Sequence, residues 1–103
     1  MAARRQIVWT RRAQRELGEA VEFITRDDSV GAALRILDDA LSAARSLELL
    51  ALRGRAVPEI NDPALREILV HRYRLMYLVL PDSVEILAFI HSARDFERWW
   101  REG

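Results

Sequence analysis

The side chains in this sequence best suited to bind or cleave a phosphate ester are three arginines, one histidine and two carboxylates: Arg66, Arg74, Arg94, His91, Glu59 and Glu67. Guanidinium groups bind phosphate oxygens through paired hydrogen bonds and stabilise the charge that develops on them. A histidine and a carboxylate can transfer protons as acid and base. Together, these groups would suit RNA cleavage without a metal ion.

Each of these residues also has a purely structural interpretation. An arginine at a strand end is most often solvated or paired with a neighbour, and Glu67 directly follows Arg66. The sequence contains no Ser, His and Asp arrangement, no glycine-rich phosphate loop and no metal-ligand spacing that would support catalysis further. The residue types therefore leave a catalytic role and a structural role open.

The C-terminal segment RDFERWWREG surrounds Phe96, Trp99 and Trp100 with arginines. Exposed Trp beside Arg is the composition of protein–protein hot spots. The same side chains could stack on nucleic-acid bases, or the segment could bury its tryptophans as a cap on a sheet. We expect one or two helical turns within residues 93–101.

Composition limits the classes of protein and partner. The 103 residues fit one domain, residues 1–103, and 16 basic against 16 acidic residues give a formal net charge of zero, so no overall positive field attracts nucleic acid. Cys is absent and the chain has only two His, which argues against a disulfide scaffold or a zinc site. No run approaches the roughly 18 apolar residues of a membrane span. We expect a cytoplasmic protein with no membrane contact, metal or cofactor.

The first half of the sequence predicts a strand followed by a helical hairpin. Residues 6–9 form a short apolar run, and Thr10 is a good N-cap for a helix that extends to about Arg26. Ser29 can cap a second amphipathic helix that extends from Val30 to about Leu47. The apolar stripes of two antiparallel helices must cover another layer.

The second half predicts that layer, a small antiparallel sheet. A short edge strand at residues 55–57 precedes three strands in a meander, at residues 64–70, 73–80 and 84–90. Strict alternation assigns Val84, Ile86, Ala88 and Ile90 to one face of the last strand, and Glu85, Leu87, Phe89 and His91 to the other. Both faces of the sheet are largely apolar. The helical hairpin can cover only one face, so the other face is either filled by the tail or left as an open groove.

The fold class is therefore α+β: an N-terminal strand, an antiparallel helical hairpin packed on a small antiparallel meander sheet, and a short C-terminal helical tail. Residues 54–96 resemble the RelE/ParE superfamily of type II toxins, often labelled plasmid stabilization proteins, and especially its ParE-like branch. The matching positions are Gly54, Arg55, Val57, Pro58, Glu59, Arg66, Glu67, Tyr73, Arg74, Tyr77, His91, Ala93, Arg94 and Asp95.

The resemblance implies a toxin that is neutralised in a hetero-oligomer by a cognate antitoxin, whose flexible segment lies across apolar surface of the toxin. The expected antitoxin contacts are the side chains of the less covered sheet face: Met76, Leu78, Leu87 and Phe89. Operator DNA would be reached only through the antitoxin.

The superfamily divides by target, and the resemblance leaves three functions open. A ParE-like toxin would poison DNA gyrase by binding it, without chemistry of its own, and its target contacts would be Arg66, Arg74, His91, Arg94, Trp99 and Trp100. A RelE-like toxin would be a metal-independent endoribonuclease that cuts mRNA on the ribosome, with the phosphate-binding and proton-transferring residues named above. The third possibility is a non-toxic binding module that regulates its operon with the antitoxin. The neutral charge and the absence of Lys favour the first function, because a protein that docks on ribosomal RNA is expected to be basic.

Overall fold

A computed structural model of the chain describes residues 4–103, in five strands and three helices. The strands are β1 (Gln6–Trp9), β2 (Arg55–Ala56), β3 (Leu65–Val70), β4 (Tyr73–Val79) and β5 (Ser83–His91). The helices are α1 (Arg11–Asp27), α2 (Val30–Ser46) and α3 (Phe96–Glu102). The predicted α+β fold, with its helical hairpin and its C-terminal helical tail, is confirmed.

Polar caps begin the two long helices at the predicted positions. The Thr10 hydroxyl accepts a hydrogen bond from the Ala13 N–H at 3.1 Å, and the Ser29 hydroxyl accepts one from the Ala32 N–H at 3.0 Å. Each bond satisfies a backbone donor that the first turn of a helix leaves without a partner. The caps and the short connection between α1 and α2 therefore determine where the hairpin turns.

The strand order is β1-β5-β4-β3-β2, so β3, β4 and β5 form the predicted meander in the centre. The first strand pairs in parallel with β5, with Ile7 opposite Val84, which makes the sheet mixed. A parallel neighbour needs a long crossover, and the helical hairpin with the meander supplies it. Both edge strands are short, which limits pairing with other chains.

The sheet is buried on both faces, but unequally. The helical hairpin covers one face with a large core that includes Leu17, Ile36, Leu75, Tyr77 and Ile86. The second face carries a smaller core made by Val57, Leu65, Met76, Ala88, Ile90, Phe96 and Trp99. Because Phe96 and Trp99 belong to α3, the tail is the cover of the second face.

A β-bulge in β5 overturns the predicted alternation of its side chains. Tyr77 lies opposite Ile86 and Met76 lies opposite Ala88, so Leu87 has no partner on β4. An extra residue shifts all later side chains to the other face. Phe89 therefore joins the core beneath the helices, whereas Ala88 joins the core beneath α3.

Close packing at Gly54 fixes the end of the sheet where β2 begins. The Gly54 N–H donates to the Tyr77 hydroxyl at 2.9 Å, and the Gly54 carbonyl accepts from Arg66 Nε at 2.8 Å. A Cβ atom at this position would overlap the backbone oxygen of Glu67 and lie 2.7 Å from the Tyr77 hydroxyl. Only glycine allows this approach of the two backbones.

We expect Gly54→Ala to reduce the free energy of unfolding by about 1–3 kcal/mol, because the backbone of β3 must move to admit the methyl group. Gly18→Ala is the matched control, since a Cβ atom at Gly18 would have no atom within 4 Å. That control should gain up to about 1 kcal/mol from helix propensity. Urea denaturation measures both values, and equal stability of Gly54→Ala and wild type would contradict the packing argument.

Candidate functional site

Four charged side chains lie together on the second sheet face, near β2. Arg74 Nε donates to Glu67 Oε1 at 2.7 Å, and the other two Arg74 nitrogens donate to the two Glu59 oxygens at 3.0 and 2.7 Å. Arg55 donates to the remaining Glu67 oxygen at 2.8 Å. We call Arg55, Glu59, Glu67 and Arg74 the ion cluster.

The ion cluster is charge-balanced and partly buried. Glu67 is 1% exposed and Arg74 is 6% exposed, and the Arg74 guanidinium also lies 5.4 Å from the centre of the Phe96 ring. Hydrogen bonds from Arg74 lower the pKa of Glu59, and Glu59 in turn raises the pKa of Arg74. Each of the three guanidinium nitrogens of Arg74 already has a carboxylate partner, so a phosphate would have to compete with Glu59 and Glu67 for this side chain.

Arg66 has a structural role at the same end of the sheet. Its guanidinium donates to the carbonyls of Gly54 and Pro63, at 2.8 and 2.9 Å. It lies opposite Tyr77, a fully buried residue whose pKa is raised by burial. Arg66 thus holds the β2 connection against β3.

His91 lies at the other end of the meander. It pairs with Tyr73, four positions along β4 from Tyr77, which corresponds to about 13 Å at roughly 3.3 Å per residue. Its Nδ1 accepts from the Ala93 N–H at 3.1 Å, so the Nε2 atom carries the ring proton when the imidazole is neutral. Arg74 lies opposite Ile90, the neighbour of His91, but Arg74 is on the second face and His91 is on the face beneath the helices. The predicted catalytic residues are therefore divided between the two faces of the sheet and do not surround one point.

A cleft of about 410 Å³ adjoins His91, between the helix turn and the β3–β4 turn. Its lining includes both histidines, together with Arg35, Arg72 and Tyr73. His71 has a positive φ of 55° and contacts Asp39 of α2 at 2.6 Å. This cleft groups Arg, Tyr and His side chains at one end of the meander, on the opposite face of the sheet from the ion cluster.

The two tryptophans of the tail differ in exposure. Trp99 is 5% exposed and Trp100 is 49% exposed. Arg94 Nη2 donates to Glu102 at 2.9 Å. An apolar pocket of about 400 Å³ lies between the tail and the end of β1, and its lining comprises Thr10, Arg12, Leu87, Trp99, Trp100 and Gly103. We call it the tail pocket.

The four residues predicted to contact an antitoxin differ in accessibility. Met76 and Phe89 are each 1% exposed and have almost no surface to offer a partner. Leu78 and Leu87 are half-buried on the second face. Only Leu78 and Leu87 are accessible in this conformation.

Sequence reasoning missed an apolar groove between the two long helices, beside the end of β1. The helix groove has a volume of about 470 Å³ and is lined by Trp9, Gln14, Leu17, Gly18, Val21, Leu37 and Leu41. Val30, Leu34 and Leu41 are exposed at helical spacing along α2, and so extend the groove as an apolar stripe. This spacing was the available signal, because it leaves α2 with more apolar positions than one sheet face can cover.

Sequence reasoning also missed Glu16, a carboxylate that is 5% exposed on α1. Glu16 lies within the buried stripe formed by Ala13, Leu17 and Ala20. A charged residue inside an apolar helical stripe was the signal, since such a residue must have buried partners.

Residues 4–103 contain no group of three or more His, Asp or Glu side chains arranged to hold a metal ion. In the same range, no helix combines the length and apolar character that crossing a membrane requires. The predicted lack of a metal requirement and the cytoplasmic location remain predictions.

The helical hairpin on one face of a mixed sheet and the C-terminal helix on the other define a small α+β protein. A family model described as "ParE toxin of type II toxin-antitoxin system, parDE" matches residues 7–96. The chain belongs to this family of ParE toxins. It is thus a type II toxin of a toxin–antitoxin system, as the resemblance implied.

Two solved structures share the fold. A structure titled "Chromosomal ParDE TA system from P. aeruginosa" has a TM-score of 0.70 at 19% identity, covering 84% of this chain and 95% of the other. "The structure of YoeB dimer from Staphylococcus aureus" has a TM-score of 0.56 at 18% identity, covering 86% of this chain and 98% of the other. No sequence among the curated proteins matches significantly.

The ion cluster should make stability depend on pH in the acid range. Because Arg74 lowers the pKa of Glu59 below 4.5 in the folded chain, Glu59 stabilises the fold above that pH, and its contribution is lost as the pH falls through the lowered value. We expect Glu59→Gln to lose stability less steeply than wild type between about pH 5 and pH 3. Urea denaturation across this range tests the difference, and parallel pH profiles would contradict it.

Proposed function

We propose that this toxin inhibits growth by binding DNA gyrase and performs no chemistry on RNA. The observation that carries the proposal is the state of Arg74, whose guanidinium nitrogens are all paired with Glu59 and Glu67. A ribonuclease would need this arginine free to hold a phosphate and one of these carboxylates free to move a proton. The ion cluster instead joins the β2 connection to the centre of the sheet.

The other predicted catalytic residues support the same proposal. Arg66 is bonded to two backbone carbonyls, and His91 lies on the opposite face of the sheet from Arg74. Acid–base catalysis requires the proton-transferring group within hydrogen-bond reach of the bound phosphate. The zero net charge also gives the chain no general attraction to ribosomal RNA.

The surface we assign to target binding is the tail. Trp100 is the largest exposed aromatic side chain of the tail, and Arg98 and Arg101 flank it on α3. Exposed Trp and Arg beside an apolar pocket are typical of residues that dominate binding energy in protein interfaces. Of the six residues predicted to contact the target, Trp100 and Arg94 remain accessible beside the tail pocket.

Pulse incorporation of labelled thymidine and methionine, minutes after induction of this chain alone, tests the target. We expect an early loss of thymidine incorporation while methionine incorporation continues, because gyrase poisoning stops DNA synthesis first. Trp100→Ala should abolish the effect, whereas Leu52→Ala, which removes an even more exposed apolar side chain outside the tail, should keep it.

A prompt loss of methionine incorporation would overturn the gyrase proposal in favour of mRNA cleavage on the ribosome. Growth without any defect, from a folded chain, would favour a non-toxic module that acts with its antitoxin on the operon.

We assign the helix groove to the cognate antitoxin, in a cytoplasmic hetero-oligomer in which the antitoxin alone contacts operator DNA. The apolar stripe from Val30 to Leu41 spans 12 residues, whose ends are about 16 Å apart at a rise of roughly 1.5 Å per residue, which matches three turns of an amphipathic helix. Trp9 lines the helix groove and Thr10 lines the tail pocket. An antitoxin helix in the groove would therefore lie beside the target surface and could exclude the target sterically.

Gly18→Leu tests this assignment, because the position of its side chain is empty and faces the groove. We expect at least ten-fold weaker antitoxin binding, or about 1.4 kcal/mol, with toxicity retained. Gly31→Leu is the matched control, a helical glycine outside the groove with only ordinary contacts around its Cβ position. Titration calorimetry measures binding, and equal affinities of the two variants would show that the groove is not the antitoxin site.

A further inference from the structure

Glu16 connects three elements through one buried carboxylate. Its Oε1 atom accepts from the Phe89 N–H of β5 at 3.0 Å. Its Oε2 atom accepts from the Trp99 indole N–H of α3 at 2.7 Å. Burial of a carboxylate is unfavourable unless hydrogen bonds and opposite charges compensate it, so these contacts determine where α1 and α3 can lie.

The Phe89 donor is available because β1 is shorter than β5. The last bond between the two strands is from the Thr10 N–H to the Ile86 carbonyl, at 3.1 Å. Beyond the bulge at Leu87, no strand within residues 4–103 pairs with this edge of β5, and the Glu16 carboxylate takes that place. Glu16 is therefore held in a fixed position relative to the sheet.

Two arginines complete the environment of the carboxylate and of the Trp99 indole. Arg12 Nε lies 3.4 Å from Glu16 Oε2, and Arg94 Nη1 lies 3.9 Å from the same atom. The Arg12 guanidinium lies 4.1 Å from the centre of the Trp99 ring and donates to the Trp99 carbonyl at 2.7 Å. The indole is thus positioned by a hydrogen bond at its edge and a cation on its face.

The position of α3 on the sheet depends on these contacts, because a helix of seven residues is not stable alone. The other buried side chain of α3 is Phe96, which packs against Trp100 with ring centres 5.7 Å apart. Trp100 directly follows Trp99, so its direction over the tail pocket follows from the position of Trp99.

We propose that Glu16 is the positioning residue of the target surface: it holds Trp99 in place and thereby presents Trp100 and the tail pocket to a protein partner. Arg11 and Arg101 adjoin lining residues of the tail pocket and make no ion pair among the described residues. The surface therefore fits a partner that inserts an apolar side chain next to a carboxylate. This inference rests on the proposed function for the identity of the partner.

The test combines Glu16→Gln with Trp100→Ala. A glutamine cannot accept from both Phe89 and Trp99 through two oxygens, so one donor would face its NH₂ group. We expect Glu16→Gln to weaken binding to purified gyrase at least ten-fold and to raise iodide quenching of Trp fluorescence. The double variant should bind no more weakly than Trp100→Ala alone, because Glu16 acts through Trp100.

Glu19→Gln is the matched control, because Glu19 has the same charge on the same helix and, among residues 4–103, makes only the exposed pair with Arg15. Trp99→Phe provides an independent test if Glu16→Gln fails to fold, because it removes the indole N–H while keeping an aromatic ring. It should weaken gyrase binding in the same way and leave antitoxin binding unchanged within about two-fold.

Additive losses in the double variant, unchanged quenching in Glu16→Gln, or full gyrase binding by Trp99→Phe would overturn the inference. If wild type binds no gyrase, the proposed target is wrong. The quenching experiment still decides whether Glu16 holds α3 in place.

Discussion

Burial of the central strands on both faces is the constraint on which the rest of this structure depends. β4 and β5 carry apolar side chains on both sides, but the helical hairpin covers one side only. The second cover must come from the seven residues of α3, which bury Phe96 and Trp99. A cover this small needs specific anchors, since apolar area alone holds it weakly.

Those anchors explain why charged groups are buried in a chain of this size. Glu16 bonds to the β5 backbone and to Trp99, and the ion cluster lies under Phe96, where Arg74 meets the ring face. In both places the charges are balanced and the buried polar atoms have hydrogen-bond partners among the described residues. Such networks specify one arrangement of the elements more than they add net stability.

The same arrangement keeps the helix groove and the tail pocket apart as two separate surfaces. The ion cluster engages the arginine and the carboxylates that a phosphate-cleaving site would need, which supports the proposal that the toxin acts through binding surfaces. The helix groove and the tail pocket lie on either side of the β1 end, through Trp9 and Thr10. One short strand therefore connects the surface proposed for the antitoxin with the surface proposed for the target.

The sequence alone determined the elements and their order. Helical spacing and the caps at Thr10 and Ser29 predicted the hairpin, and apolar runs with turn residues predicted the meander, because these signals are local. Tertiary structure decided which side chains became accessible. The bulge at Leu87 reversed the face of Phe89, and pairing across strands brought Glu59 and Glu67 to Arg74. A one-residue shift of register and contacts between distant residues leave no signal in local spacing, so the candidate site could not be assembled from the sequence.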